Sequence, residues 1–168
     1  MPRPSLHDVA LQVFAALPRP VRHRVVRYLS PTFTGGAVVA ATRPDGRVLL
    51  VTHAYNAGWG LPGGLLDRGE TPAMTVRREV REEVGLDVDV QRHATAVLTP
   101  GRRHFNYVFT AAVDDAAADA VAPATSEITD ADWFALDALP AELLEFTDLL
   151  LAAVGLLPHP DEAAPPER

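Results

Sequence analysis

The chain has 168 residues, enough for one domain that buries its own core without disulfides or a structural metal. It contains no cysteine, which excludes thiol catalysis, cysteine–zinc sites and disulfide scaffolds. Its formal charge of −7 argues against a general nucleic-acid binder, which presents a basic face, and no run approaches the roughly 20 apolar residues of a membrane span.

In chain order, Leu6, Val9, Ala10, Val13, Phe14 and Leu17 repeat at helical spacing until Pro18 and Pro20 break the pattern. Val21, Val25, Tyr28 and Leu29 predict a second short helix carrying Arg22, Arg24 and Arg27. Residues 1–31 read as a basic helical extension that packs on the domain or across a dimer. They do not read as a signal peptide, because His7, Asp8 and Gln12 interrupt the apolar part and no small-residue cleavage site follows. Ala37 to Thr42 and Val48 to Thr52 then predict two strands joined by a hairpin turn at Pro44-Asp45-Gly46. Tyr55 to Gly63 reads as a glycine-rich loop.

The next element carries the chemistry. Thr71 suits an N-cap, Pro72 the first helical position and Gly85 a left-handed cap, so the helix runs between them. Val76, Val80 and Val84 recur at i, i+4 and i+8, with Ala73 between their rows, as an apolar stripe. Arg77 and Arg81 point away from it. Glu79, Glu82 and Glu83 stand at i, i+3 and i+4, on one face about 100° wide. Like charges at this spacing cost a few tenths of a kcal/mol per pair, and the helix dipole disfavours them near the C-terminus. A hard divalent cation reverses that sign, since Mg²⁺ is held by carboxylates together with the oxygens of a substrate's phosphates.

Beyond this helix, Val88 to Leu98 reads as a strand region, Thr99 to Arg103 as a turn and Phe105 to Val113 as the return strand. Asp114 to Thr125, rich in alanine and acid, reads as a mobile loop. Trp133 and Phe134 mark a short strand, and Leu143 to Leu157 predicts a helix. The domain is expected over residues 32–157, and 158–168 as a disordered tail.

The stretch Gly64 to Leu86 resembles the signature of the Nudix hydrolases, G-x5-E-x7-R-E-U-x-E-E-x-G-U with U aliphatic. Gly64, Glu70, Arg78, Glu79, Val80, Glu82, Glu83, Gly85 and Leu86 fill every specified position. Average composition gives such a coincidence a chance of roughly 10⁻⁹ to 10⁻¹⁰. The preceding Trp59 to Gly64 looks like the family's usual lead-in. The resemblance implies an α/β fold, a Nudix-type α/β/α sandwich with a mixed sheet, here with an N-terminal helical extension.

It also implies metal-dependent hydrolysis of a phosphoanhydride in a nucleoside diphosphate linked to another moiety. Mg²⁺ or Mn²⁺ would be held by Glu79, Glu82, Glu83 and the carbonyl of Gly64. Arg78 is assigned to a salt bridge that fixes the glutamates, and Glu70 to orienting the loop and helix. Glu127 is the candidate general base, with Glu79 or Glu82 next. Candidate substrate contacts are Tyr55, Trp59, Phe105 and Tyr107, for stacking on a base, and Arg102 and Arg103, for a phosphate. Core positions for the aromatics and a solvated turn for the arginines are the competing readings. His53, His93 and His104 form no ligand-spaced cluster and read as structural.

Pro100 lies fourteen residues past Leu86, one short of the position typical of ADP-ribose-hydrolysing members. Arg103 sits where dinucleoside polyphosphate hydrolases carry a tyrosine. ADP-ribose or a nucleotide sugar is therefore favoured, with an oxidised nucleoside triphosphate such as 8-oxo-dGTP next. The alternative is a Nudix-like ligand-sensing or interaction module without turnover, although such members usually lose a box glutamate and none is lost here. An isomerase on the same fold needs a cysteine that this chain lacks. The expected partners are a nucleotide-type small molecule and, through the N-terminal helices, a second copy. No nucleic acid and no stable membrane insertion are expected, and the expected location is the cytoplasm.

Overall fold

The computed structural model describes residues 5–90 and 93–159, apart from the side chains of His7 and Val9. The chain divides into two compact units between Phe33 and Thr34. In the first unit, helix α1 spans Leu6–Ala16 and opens on a capping box: Ser5 Oγ accepts from the Asp8 N–H, and the Asp8 carboxylate accepts from the Ser5 N–H. Pro18 ends the intervening turn in an extended conformation and its carbonyl starts helix α2, Arg19–Leu29, which tolerates Pro20 because it falls in the first turn. No described side chain of α2 is buried.

The second unit is built on seven strands: β1 (Thr34–Thr42), β2 (Val48–His53), β3 (Asn56–Gly60), β4 (Gly63–Leu65), β5 (Thr95–Leu98), β6 (His104–Ala112) and β7 (Ile128–Phe134). Their order is β3-β2-β1-β6-β5, with β4 also on β1 and β7 on β2. β1 and β6 run parallel and the other pairs antiparallel, so the sheet is mixed.

Alternation along the strands feeds two cores. Ala37, Val39 and Ala41 of β1, with Leu49, Val51 and Phe109, meet Val76, Val80 and Val84 of helix α3 (Pro72–Val84). Ala40, Val48, Leu50 and Val108 on the other face meet Leu150 and Leu151 of helix α5 (Thr147–Ala153). The result is the expected α/β/α sandwich. The three valines of α3 are at most 1% exposed, and each such burial contributes about 1.5–3 kcal/mol.

Several elements differ from the sequence reading. The segment 55–63 is not simply a loop: it contains β3, paired with β2 through Val51 opposite Gly60. Within 88–98 only β5 is strand; Val88 and Val90 are buried in the core without pairing, and Gln91 and Arg92 lie outside the described residues. The segment 114–125 opens with a short helix, α4 (Asp115–Asp119), capped by Asp114. Arg43 pairs with both Asp115 and Asp119, and the Trp133 indole N–H donates to the Ala118 carbonyl, which together hold α4 on the domain.

The last helix is shorter than the expected 143–157. Leu143 and Leu144 are extended along β3, where the Trp59 N–H donates to the Glu142 carbonyl and the Leu144 N–H to the Trp59 carbonyl. Phe146, at φ 70°, turns the chain into α5, and Gly155, at φ 76°, ends it. Most of the expected tail, residues 160–168, lies outside the described residues.

Candidate active site

Helix α3 is delimited as its sequence demands. The Thr71 side chain accepts from the Met74 N–H, Pro72 occupies the first position, and Gly85 closes the helix at φ 70°. With the valine stripe fixed on the core, the glutamates are directed at strand β4. Glu83 is buried: its Oε2 accepts from the Gly63 N–H at 3.0 Å, and its Oε1 lies 3.2 Å from His53 Nε2 at the end of β2. Gly63 cannot be replaced here, since φ is 141° and a Cβ would stand 2.2 Å from the Ala37 carbonyl oxygen. Glu79 lies over the next residue, so that a Cβ on Gly64 would stand 2.4 Å from its Oε1. Glu82 is 55% exposed and faces outward beside them.

Arg78 ties this edge together. Its Nε and Nη2 grip Glu70 at 2.8 and 3.0 Å, and its Nη1 stands 3.0 Å from Glu79 and 3.3 Å from Glu82. The Thr75 hydroxyl donates to the same Glu70 carboxylate at 2.7 Å. The hydrogen bonds from Arg78 and then from Thr75 hold the Glu70 carboxyl down at about 2, and Glu70 in turn raises the Arg78 guanidinium. Glu79 shifts the other way. Burial pushes its carboxyl up, the charges of Glu83 and Glu82 add to this, and Arg78 opposes it.

These residues fit a hard divalent cation in donor chemistry: three carboxylates, with a backbone carbonyl on the strand that Glu79 overlies. Among the described residues no three acidic or imidazole side chains converge as a cage. Mg²⁺ does not ask for one, because it binds through one or two carboxylates and keeps waters and substrate phosphates in its other positions.

From this edge a groove runs across the α5-side face of the sheet as two adjoining clefts. The first, 390 Å³, contains His53, Tyr55, Gly63 and Gly64; the second, 550 Å³, contains Thr99, Arg102 and Phe146. Asn56, His104, Asn106, Leu144 and Glu145 line both. A larger cleft of 680 Å³ opens between β5 and α5, away from the glutamates.

The predicted substrate contacts separate. Tyr55 lines the first cleft and is 74% exposed. Desolvation first, then the charges of Glu127, Glu83 and Glu79, raise its phenol. Glu127 itself is exposed just before β7, and its carbonyl accepts from the Ala54 N–H at 2.8 Å. Arg102 reaches the second cleft already paired with Glu145. Arg103 is exposed, with its carbonyl taken by the Thr34 N–H.

The remaining aromatics belong to packing. Trp59 stands edge-on to Phe134 at 4.7 Å in the α5-side core. Phe105 and Tyr107 pack on each other at 5.4 Å, with Tyr107 against the α3-side core, across the sheet from the groove. Strand alternation explains this: with Phe105 and Tyr107 on one face, His104 and Asn106 take the other and line the groove. That period-two pattern is the signal for the place of His104, read as structural, and of Asn106, which the sequence analysis does not single out. His53, read as structural, touches Glu83.

The chain matches the NUDIX domain over residues 32–153. It is 33% identical over 123 residues to a MutT-like protein of Streptomyces ambofaciens, covering 73% of this chain and 74% of that one. It is 33% identical over 105 residues to the NAD-capped RNA hydrolase NudC of Vibrio atlanticus, covering 61% of this chain and only 38% of that protein. Among solved structures, a MutT NUDIX hydrolase from Burkholderia pseudomallei superposes with a TM-score of 0.60 at 28% identity, over 74% of this chain and 99% of that one. An ADP-ribose pyrophosphatase from Streptococcus suis does so with 0.57 at 28% identity, over 73% and 89%. No helix among the described residues is long and apolar enough to cross a membrane. The box residues, the sandwich that carries them and these likenesses place the chain in the Nudix family of hydrolases.

Proposed function

We propose that this domain hydrolyses a phosphoanhydride bond in a nucleoside diphosphate linked to a second moiety, releasing two phosphorylated products. ADP-ribose or a nucleotide sugar is the favoured substrate, and an oxidised nucleoside triphosphate the next. The observation that carries the reading is Glu79 and Glu83 held against the Gly63–Gly64 strand, with Glu82 exposed beside them on Arg78, where the two adjoining clefts begin. The likeness to an ADP-ribose pyrophosphatase and to a hydrolase of NAD-capped RNA favours a diphosphate that joins two groups.

Glu79, Glu82, Glu83 and the Gly64 carbonyl would hold Mg²⁺ or Mn²⁺, which when bound neutralises phosphate charge and lowers the pKa of a water. The chain's own residues do the rest. Arg78 keeps Glu79 and Glu82 from splaying apart, and Glu70 keeps Arg78 in place. The Gly63 N–H and His53 fix both oxygens of Glu83, so that little reorganisation is left for the reaction. Glu127 is the carboxylate assigned to accept the proton of the attacking water, with Glu79 or Glu82 next. The groove aligns the diphosphate, and positioning with charge neutralisation is what in-line attack demands.

The test is a phosphate-release screen across ADP-ribose, nucleotide sugars, dinucleoside polyphosphates and oxidised nucleotides with Mg²⁺ or Mn²⁺ supplied. Turnover of at least one diphosphate-linked nucleotide, abolished by excess chelator, is expected. Turnover undiminished in chelator, or none across the panel, overturns the reading.

A further inference from the structure

Midway along the groove, three side chains from adjacent strands form a hydrogen-bonded row. Thr34 lies opposite His104 in the parallel register of β1 and β6, and its Oγ1 stands 2.8 Å from His104 Nδ1. His104 Nε2 stands 3.2 Å from Asn106 Oδ1, two residues on and on the same face. The Thr34 hydroxyl has one proton and two acceptors within reach, the imidazole at 2.8 Å and the Arg103 carbonyl at 3.4 Å. Asn106 Oδ1 can only accept, so His104 Nε2 is the donor on that side and Nδ1 is left to accept from the Thr34 hydroxyl. The row therefore orients the amide: its oxygen is engaged, and its Nδ2, which makes no hydrogen bond among the described residues, is left to the groove that Asn106 lines.

Gly36 makes the room for this. A Cβ there would stand 2.4 Å from Asn106 Oδ1 and 3.3 Å from His104 Cε1. Around the amide the groove offers uncharged groups, Asn56, His104 and Leu144, and the two nearby charges, Glu145 and Arg102, are paired with each other. A phosphate in this position would meet the Glu145 carboxylate and a guanidinium already engaged by it. The edge of a base meets no such repulsion. The geometry points to Asn106 as a specificity-determining residue whose Nδ2 hydrogens read an uncharged acceptor atom on the substrate's nucleobase, with His104 and Thr34 as its positioning residues.

The assignment rests on the domain's taking a nucleotide, so its test uses binding of product-like ligands and not turnover. Uridine and adenosine monophosphates and ribose 5-phosphate are titrated by calorimetry, in Mg²⁺, into wild type, Asn106→Ala, Asn106→Asp, Thr34→Val and Thr34→Ser. Asn106→Ala weakens the nucleotide that wild type binds best about tenfold, the effect of a lost hydrogen bond at a well-ordered site, and weakens ribose 5-phosphate by less than about twofold. Asn106→Asp, which puts an acceptor where a donor is needed, weakens the nucleotide further. Thr34→Val gives part of the loss and Thr34→Ser restores it. The Asn106 side-chain amide signals shift on adding the nucleotide and stay in place with ribose 5-phosphate.

Equal losses for the two kinds of ligand, tight binding by Asn106→Asp, or no nucleotide binding by folded wild type each overturns the assignment. The two readings fail separately. A base-dependent contrast without hydrolysis sinks the activity alone, whereas hydrolysis without the contrast sinks the role of Asn106 alone.

Discussion

Helices α3 and α5 pack on opposite faces of one sheet, and they bring two kinds of order to the groove. α3 is specified by its own neighbourhood: a threonine cap, a proline at the first position, a glycine at the end and valines one turn apart. The Arg78–Glu70 clamp closes over eight residues. α5 has no side-chain cap and begins at Phe146 in a left-handed conformation, after a segment drawn onto β3 from far along the chain. The charged end of the groove thus leans on contacts close in sequence, joined by Gly63 and His53, and the α5 end on distant ones.

The comparison breaks most decisively at the carboxylates. Glu82→Gln or Glu83→Gln removes a negative charge while keeping the side chain's shape, and the Gly63 N–H still finds an oxygen at position 83. Turnover is expected to fall about 10²–10⁴-fold with the unfolding midpoint nearly unchanged for the exposed Glu82 variant. Steady-state rates and thermal unfolding measured on the same preparations check this. Full activity in both variants would remove the role assigned to the α3 edge.

Arg78→Ala is expected to come next, with activity lower by about 10–100-fold because the glutamates lose their orienting partner. It also costs stability, about 1–3 kcal/mol by urea unfolding, since Glu70 and Glu79 are left without their cation. Lysine there keeps the charge and loses the two-pronged grip on Glu70, and is expected to fall between alanine and wild type.

The same local logic decides what the sequence made legible. The bounds of α3, its caps and its buried stripe could be read because cap, stripe and acidic face lie within fifteen residues of each other, and their spacing has one helical solution. The extent of the last helix could not, because Leu143 and Leu144 satisfy a helical pattern yet gain more by hydrogen-bonding along Trp59. The aromatics show the limit most clearly. Trp59, Phe105 and Tyr107 have the right chemistry for stacking on a base, yet all three are half-buried, Trp59 against Phe134 and Phe105 against Tyr107, which packs on the α3-side core. Their polar strand neighbours His104 and Asn106 face the groove instead. Alternation says that these two sets lie on opposite faces; only the packed sheet says which face is the groove.

At the other end of the groove, Gly60→Ala tests whether the wall is as tightly fitted as the box. A Cβ at Gly60 would stand 2.7 Å from Leu144 Cδ1, so the segment bearing Leu144 must shift. Overpacking of this kind costs about 1–3 kcal/mol. KM is expected to rise more than kcat falls, because the glutamates do not move with that wall.

Acid unfolding separates the two ends in another way. Glu70 has its carboxyl held at about 2 in the fold, below its ordinary value, so its ionised form contributes stability throughout the range above the unfolded value. That contribution declines as pH falls below the ordinary carboxylate range and is gone once pH passes about 2. The stability gap between wild type and Glu70→Gln should therefore be constant near neutrality and close between about pH 5 and 2. Thermal unfolding of both proteins over that range measures it, and a gap independent of pH would mean that the charge on Glu70 is not what holds Arg78.

The smallest expected effect belongs to Arg102 and Glu145, the ion pair across the second cleft. Both side chains are well over half exposed, so their mutual attraction is worth less than about 1 kcal/mol and Glu145→Gln should barely change stability. The substitution nevertheless releases Arg102 toward whatever lies in the groove. Substrates carrying an additional terminal phosphate should then bind up to about fivefold better, which is the same modest energy redirected from Glu145 to the ligand, while substrates without one should not respond. A response shared by all substrates would show that Glu145 acts on the wall's shape. The contrast between substrates is therefore the decisive quantity, because it follows charge, whereas any distortion of the 142–146 segment would affect every ligand that lies against it.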